Sequence, residues 1–449
     1  VFATPGLTCG VTSGTYNLVA RDNGIDIDSS VNHVQIVAGL QPSTTYYCQV
    51  SSTAGGSTVT STFSIATTAT PANIPATGVS YSTPIDYNTI SPPCVANADT
   101  MYNAESNDGL TYFLLDDTNG WFCDGTALSG SKSGNMTIGV WTSISPLQGH
   151  TLNWMTAFGA ATTASTYNSR SSKNSGLLAM DGKLFMWNGG QQNWCCGLPS
   201  SAPAFLQDGG NLLMSGDHGR TWNNFQKVGT YLQNGKPITA AMFSTSSPTT
   251  MGSCTFVMYD KDDGTLGYFS AVNRHDQADA FVYLHCNDGY WNNGNALYLV
   301  RVLRAKIQNL NPADYQWYIG GDGSQDSAWS NSMTSAQAII SATGQIGEPA
   351  SNYVTSLNTY LVTTFYYPNG LAQSNPQQGD VTWVTYNCTH VWGPCNVINT
   401  TNWPTQGYYN PVPIHPTILS GLTPTVLFTS GFSTGFSYHP YLSTMTIQH

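Results

Sequence analysis

Polar and apolar residues alternate along this chain in short runs, and hardly any run has the three-to-four-residue spacing of a helix. The runs are rich in Val, Ile, Thr, Tyr and Phe and are bounded by Gly, Asn, Asp and Pro, which predicts strands joined by tight turns. Residues 98–101 and 110–117 flank Asn107-Asp108-Gly109 and predict a hairpin on which Asp99 and Asp117 can face one another. Residues 177–187 predict a second hairpin around Asp181-Gly182. Residues 254–259 pair in this reading with 267–271, and 280–285 with 297–302, while 360–366 and 426–429 supply later strands. Upstream, 7–11, 31–37, 44–50 and 57–65 form a separate set, and the Thr- and Ala-rich stretch 66–78, with Pro71 and Pro75, reads as a linker. The expectation is an all-β chain: a β-sandwich unit over residues 1–69, a linker over 70–79 and a second domain over 80–449. Some 370 residues of short strands suit radial repetition of small sheets, a β-propeller.

Composition narrows the partners. Only 8% of the 449 residues are charged, and 13 basic against 24 acidic residues leave a net charge of -11. Nucleic acid and anionic membranes need clustered Lys and Arg, so neither is an expected partner. A neutral polysaccharide suits a chain whose 12 Trp and 25 Tyr offer flat amphipathic faces. No run of eighteen apolar residues is present, and the first residues have neither the basic start nor the apolar core of a signal peptide, so a secretion signal would lie outside this sequence.

The ten cysteines fall into neighbouring couples: Cys9 with Cys48, Cys94 with Cys123, Cys195 with Cys196, Cys254 with Cys286, and Cys388 with Cys395. Sequential disulfides and an extracellular, oxidising compartment are expected, because zinc would need closer Cys/His clusters. Pairing Cys195 with its neighbour Cys196 would make a vicinal ring, and pairing elsewhere stays open. Three sequons, at Asn135, Asn387 and Asn399, mark positions for N-glycans where the source glycosylates that motif. No cofactor signature is found. Calcium is the one ion for which a loop, Asp260-Lys261-Asp262-Asp263-Gly264, has suitable ligands, but a closing Glu is missing and a tight hairpin explains it better.

Two local phrases resemble known modules. Residues 39–50, Gly-Leu-Gln-Pro-Ser-Thr-Thr-Tyr-Tyr-Cys-Gln-Val, resemble the late-strand signature of fibronectin type III domains. That likeness implies that the strands of Cys9 and Cys48 are neighbours, and that the sandwich here is partial and offers an edge for self-assembly. Ser215-Gly216-Asp217-His218-Gly219-Arg220-Thr221-Trp222 is similar to the Asp-box of propellers, which implies a structural role for Asp217 and Trp222.

Over residues 95–440 the order of several stretches resembles a family of secreted five-bladed propellers that includes endo-D-arabinanases. The stretches are Asp99 with Asn107-Asp108-Gly109 and Leu115-Asp116-Asp117; 173–182; Asp279-Ala280-Phe281-Val282-Tyr283; 299–307 with Tyr315 and Gly320; and Trp392-Gly393-Pro394. Asp116, Ala280 and Cys395 depart from the family pattern. The resemblance implies hydrolysis of a polysaccharide, one containing arabinofuranose among the options, by two carboxylates and water at one mouth of the propeller channel. Asp99 is the expected base or nucleophile, Asp279 the proton donor and Asp117 a neighbour that tunes a pKa or holds the sugar, with Glu348 as an alternative acid. Trp194, Tyr290 and Trp291 are the expected sugar-stacking residues, and Arg274 the expected hydroxyl ligand. Glu348 otherwise reads as a solvated loop residue. Two rival readings of the whole chain are a carbohydrate-binding surface protein without catalysis, and a subunit of an extracellular assembly.

Overall fold

The computed structural model describes residues 4–19, 37, 40–41, 43–69, 72–86, 95–105, 111–120, 136–141, 153–158, 171–192, 206–216, 219, 222–224, 230–233, 236–239, 242–243, 251, 253–258, 281–288, 294–354, 356–369, 380–414, 422–430 and 439–449. Nearly all of the named elements are strands. Among the described residues the α-helical exception is the single turn Arg304–Ile307.

Near the N-terminus, Leu18–Val19, Thr4–Gly10, Thr45–Ala54 and Ser57–Ala66 form one antiparallel sheet in that order. Cys9 stands directly opposite Cys48 and is bonded to it. Beside them lies the buried Tyr46, whose hydroxyl accepts from the Gln41 backbone N–H at 2.8 Å. A tyrosine two positions before a cysteine that bonds back to the preceding corner is a device of immunoglobulin-like sandwiches. The last strand, Ser57–Ala66, is exposed along its whole length, with Val59, Phe63 and Ile65 in solvent.

Five larger antiparallel units follow among the described residues, beside the two-stranded pair Thr230–Gln233 and Lys236–Thr239, and all but the last are built from strands consecutive in the chain. The first comprises Val95–Glu105, Thr111–Gly120, Met136–Trp141 and Asn153–Phe158. The second comprises Ser171–Met180, Lys183–Gln192, Leu206–Ser215 and Asn223–Asn224. The third runs through Ser253–Met258, Phe281–Asn287, Gly294–Leu303 and Tyr315–Tyr318. The fourth runs through Ala350–Val354, Thr359–Tyr366, Val381–Cys388 and Cys395–Trp403. Tyr408–Pro413, Thr425–Ser430 and His439–Gln448 make the fifth, and its remaining strand, Gly78–Tyr81, comes from the other end of the domain.

The first strands of these five sheets touch in a closed circuit. Val95–Glu105 contacts Ser171–Met180, which contacts Ser253–Met258, then Ala350–Val354, then Tyr408–Pro413, and Tyr408–Pro413 returns to Val95–Glu105. Third and fourth sheets are joined directly, with Val257 and Met258 pairing in parallel with Ser351 and Asn352. Sequence explains who lines this ring. Ser253–Met258, Ala350–Val354 and Tyr408–Pro413 are buried at every position, and their polar members are neutral Ser, Thr and Asn that can bond across the ring. The peripheral Cys395–Trp403 is half-buried or exposed throughout. Gly176 marks the closest approach: a Cβ there would lie 3.0 Å from the Cys254 carbonyl oxygen and 3.0 Å from the Thr255 Cα.

Apolar side chains fill the spaces between successive sheets. One cluster joins the first three sheets through Tyr112, Leu178, Trp187, Phe256 and Trp317. A second joins the third and fourth through Val257, Tyr283, Tyr353 and Tyr386, and a third joins the fourth and fifth through Trp383, Val426 and Phe428. Strand Gly78–Tyr81 enters this last cluster with Val79 and sets Tyr81 edge-on to Trp383 at 4.9 Å.

Several sequence expectations meet the structure here. The 177–187 hairpin forms, with Asp181 and Gly182 both at positive φ between paired Met180 and Lys183. The 281–287 and 294–303 strands pair as expected. The strand at 253–258, however, takes Phe281–Asn287 as its antiparallel neighbour, because Cys254 is placed opposite Cys286. Residues 267–271 lie outside the described residues. The stretch read as a linker is tied down in its second half: Asn73 donates to the Asn358 carbonyl, Ile74 to Leu357, Ala76 to the Asn387 side chain and Thr77 to Gln448.

Candidate functional site

The leading ends of the ring strands hold a buried carboxylate. Glu348 sits two residues ahead of Ala350–Val354 and is 1% exposed, so the expectation of a solvated loop glutamate fails. Its burial follows from its neighbours: Thr364 Oγ1 donates to the Gly347 carbonyl at 3.1 Å, and Pro349 leads straight into the inner strand. Ser253 Oγ, on the first residue of the third sheet, donates to Glu348 Oε1 at 3.2 Å. Asn410 Nδ2, on the inner strand of the fifth sheet, donates to Oε2 at 3.3 Å. Three sheets thus converge on one buried carboxyl group, and a polar group is buried at little cost only when it is hydrogen-bonded in this way.

Register places the other inner-strand residues along the ring. Ser175 Oγ donates to the Cys254 carbonyl at 3.0 Å, joining second and third sheets one residue below Ser253. Asn103 Nδ2 donates to the Pro413 carbonyl at 3.2 Å, joining first and fifth. Asp99 lies four residues upstream of Asn103 on the same strand, and Asn410 three upstream of Pro413. Across the first hairpin the backbone register pairs Asp99 with Asp116, and the ladder is irregular on both sides of Asp99. Asp117, expected to face Asp99, is the next residue on that second strand, and the irregular ladder sets Asp116 opposite Asp99 in its place. Asp279, Trp194, Arg274, Tyr290 and Trp291 lie outside the described residues, as do Asp260 to Gly264.

His285 and Ser351 form a buried pair beside the ring, with Nδ1 and Oγ 2.6 Å apart. The Val391 carbonyl, 3.4 Å from Nε2, can only accept, so Nε2 carries the proton and Ser351 donates to Nδ1. Burial holds this imidazole neutral, with its pKa down to about 4, the Val391 contact opposing the shift. Both side chains are buried, and the pair ties the third sheet to the fourth.

A cavity of about 580 Å³ opens between Tyr318, Asp322 and Ser324 of the third sheet and His390, Trp392 and Pro394 of the fourth. The Cys388–Cys395 disulfide closes the loop that carries a cis Gly393–Pro394 bond, His390 stacks on Trp392 at 5.0 Å, and the indole rests against Gly323. Burial lowers the His390 pKa, and the charge of Asp322 opposes the shift. This is a seam between two sheets, and it shares no residue with the Glu348 cluster.

The structure shows three of the five expected disulfides, Cys9–Cys48, Cys254–Cys286 and Cys388–Cys395, each between directly opposed residues of paired strands. Cys94, Cys123, Cys195 and Cys196 lie outside the described residues. Three disulfides fit an oxidising compartment, and no helix is long and apolar enough to cross a membrane. Among the sequons, Asn387 is corrected: it is 4% exposed, and its Oδ1 accepts from Thr359 Oγ1 and the Ala76 N–H, leaving no room for a glycan in the folded chain. The Asp-box phrase lies in the turn before Asn223–Asn224, where Ser215 Oγ accepts from the Gly219 N–H and the Trp222 indole donates to the Gly219 carbonyl. Asp217 itself is outside the described residues.

Sequence reading missed Ser253 and Asn410. Ser253 carries no motif, whereas Asn410, an Asn before Pro inside the apolar run Tyr408-Tyr409-Asn410-Pro411, was a visible anomaly.

No protein-family model and no curated protein sequence matches this chain. Solved structures of similar shape include a protein of unknown function from Dyadobacter fermentans (TM-score 0.43, 11% identity, covering 83% of this chain and 100% of that one). A thermostable family-43 glycoside hydrolase scores 0.41 at 10% identity, over 79% of this chain and 93% of that one. Bacillus subtilis levansucrase scores 0.43 at 8% identity, over 81% and 89%. Scores at this level leave fold and activity to be argued from the chain's own residues.

Proposed function

We propose that the closed circuit of inner strands is a five-bladed β-propeller, preceded by a partial fibronectin-like sandwich, and that the protein is a secreted glycoside hydrolase acting on a polysaccharide. The observation that carries this reading is Glu348: a buried carboxylate held by Ser253 and Asn410 where the leading ends of three inner strands meet. Asp99 stands in the leading half of Val95–Glu105, the inner strand that closes the circuit with Tyr408–Pro413, so a second acidic residue lies on a non-adjacent sheet toward the same end of the ring. Glycosidic hydrolysis needs such a pair, one as acid and one as base or nucleophile.

In this reading Glu348 is the proton donor and Asp99 the base or nucleophile, with Asp117, one residue along from the Asp116 that stands opposite Asp99, as the residue that tunes or positions. Asp279, the donor expected from sequence, lies outside the described residues and is the alternative to Glu348 in this role. The substrate class is a neutral polysaccharide, with arabinofuranose polymers the first to try on the strength of the sequence resemblance. The test is release of reducing ends from plant, fungal and mycobacterial polysaccharides. Cleavage that disappears in Asp99→Asn without loss of folding supports the reading, and binding without cleavage by the intact protein contradicts it.

A further inference from the structure

The carboxylate of Glu348 fixes the orientation of the Asn410 amide. A carboxylate accepts hydrogen bonds, so the end of the amide that faces Oε2 is Nδ2, the donor. Oδ1 is therefore turned away, and it is buried without a hydrogen-bond partner in a residue 1% exposed. The backbone keeps it there. Asn410 has φ +54°, in the left-handed region, and the next residue, Pro411, has its carbonyl held by Thr363 Oγ1 at 2.9 Å. A strained, immobilised amide with one end used and the other unanswered is unusual, since buried acceptors in folded chains almost always find a donor.

We infer that Asn410 Oδ1 is a receptor for a hydroxyl group of the ligand, accepting a hydrogen bond from a sugar O–H seated beside Glu348. This rests on the reading of the mouth as a saccharide site and adds a specificity residue to it. The chemistry is selective. A lone acceptor next to a carboxylate repels phosphates and carboxylates and favours neutral polyols, and a site built to bond one hydroxyl discriminates strongly against an analogue lacking it. Because Nδ2 is committed to Glu348, the same amide couples recognition of that hydroxyl to the placement of the proposed acid.

The experiment uses the full chain carrying Asp99→Asn to suppress turnover. Its affinity for the plant, fungal and mycobacterial oligosaccharides is measured by calorimetry, alone and with Asn410→Gly, which keeps the left-handed backbone and removes the amide. For an oligosaccharide that binds, a monodeoxy series is then run on both proteins. The expected result is that Asn410→Gly weakens binding at least tenfold, and that one monodeoxy ligand, weakened by the same factor on the parent, binds both proteins equally. If every monodeoxy ligand loses the same factor on both proteins, Oδ1 is satisfied by water and this inference is overturned while the saccharide site stands. If no oligosaccharide binds the parent, the inference falls together with the reading beneath it.

Discussion

A guanidinium stays out of water only where its charge is answered, and Arg301 shows how this chain does so with few ions. It is 1% exposed, lies 3.9 Å from the Phe281 ring centre and 4.2 Å from that of Trp329, and donates to Gln316 at 2.9 Å and Asp326 at 3.0 Å. Asp326 is largely exposed, so the ion pair is partly screened and the two rings supply much of the stabilisation. Arg301→Ala is expected to cost about 3 kcal/mol, since it strands Gln316 and opens a cavity between two aromatics. Arg301→Lys should recover less than half of that, because an ammonium cannot stack as a planar fork does, and urea unfolding of both variants checks it. His285 gives a pH dependence of definite sign. Its folded pKa is about 4 against an ordinary 6.5, so its neutral form contributes stability that is complete above pH 6.5 and is lost as pH falls toward 4. The loss is on the order of 3 kcal/mol. Unfolding free energies at pH 7 and pH 4 should differ by about that much more in the native chain than in His285→Gln.

At the scale of elements, hairpins and cross-strand cysteines were legible because their signals are local. Asp181-Gly182 takes positive φ at both positions, a requirement that few other dipeptides meet, and the turn position gives Asp181 a further use as the partner of Arg304 on the neighbouring sheet. Cys254 and Cys286 show where local reading stops. Sequence predicts their pairing, yet it also gives the strand at 253–258 the nearer partner 267–271, because nothing in the chain marks how long the excursion between two strands of one sheet will be. Breaking Cys254–Cys286 by a double Ser substitution should destabilise by about 4 kcal/mol, and breaking Cys388–Cys395, with a separation of 7 rather than 32 residues, by about 2. Thermal unfolding of the two double variants should reproduce that order.

For the whole molecule, the decisive event is closure of the circuit. Strand Gly78–Tyr81 pairs with the C-terminal strand His439–Gln448, so the sheet that completes the ring is built from both ends of the domain. Low complexity and two prolines hid this contribution, and only the partner strand, more than 350 residues away, gives the segment its conformation. Val79→Asp, which puts a charge into the apolar cluster around Trp383, should lower the unfolding free energy by about 3 kcal/mol and expose the ring to proteolysis. The candidate site was legible in part for the same reason. Asp99 stands out in a strand by its residue type, but Glu348 looked like an ordinary loop glutamate until Ser253 and Asn410, distant in sequence, were seen to enclose it.

If Glu348 delivers the proton at the mouth of the ring, Glu348→Gln must discriminate between two substrates of one sugar, a natural glycan and an aryl glycoside whose leaving group needs no protonation. The expected result is a kcat on the glycan lowered by about 10²–10⁴-fold, with the aryl glycoside nearly unaffected and the melting temperature little changed. Equal loss on both substrates, or full activity on the glycan, would contradict it.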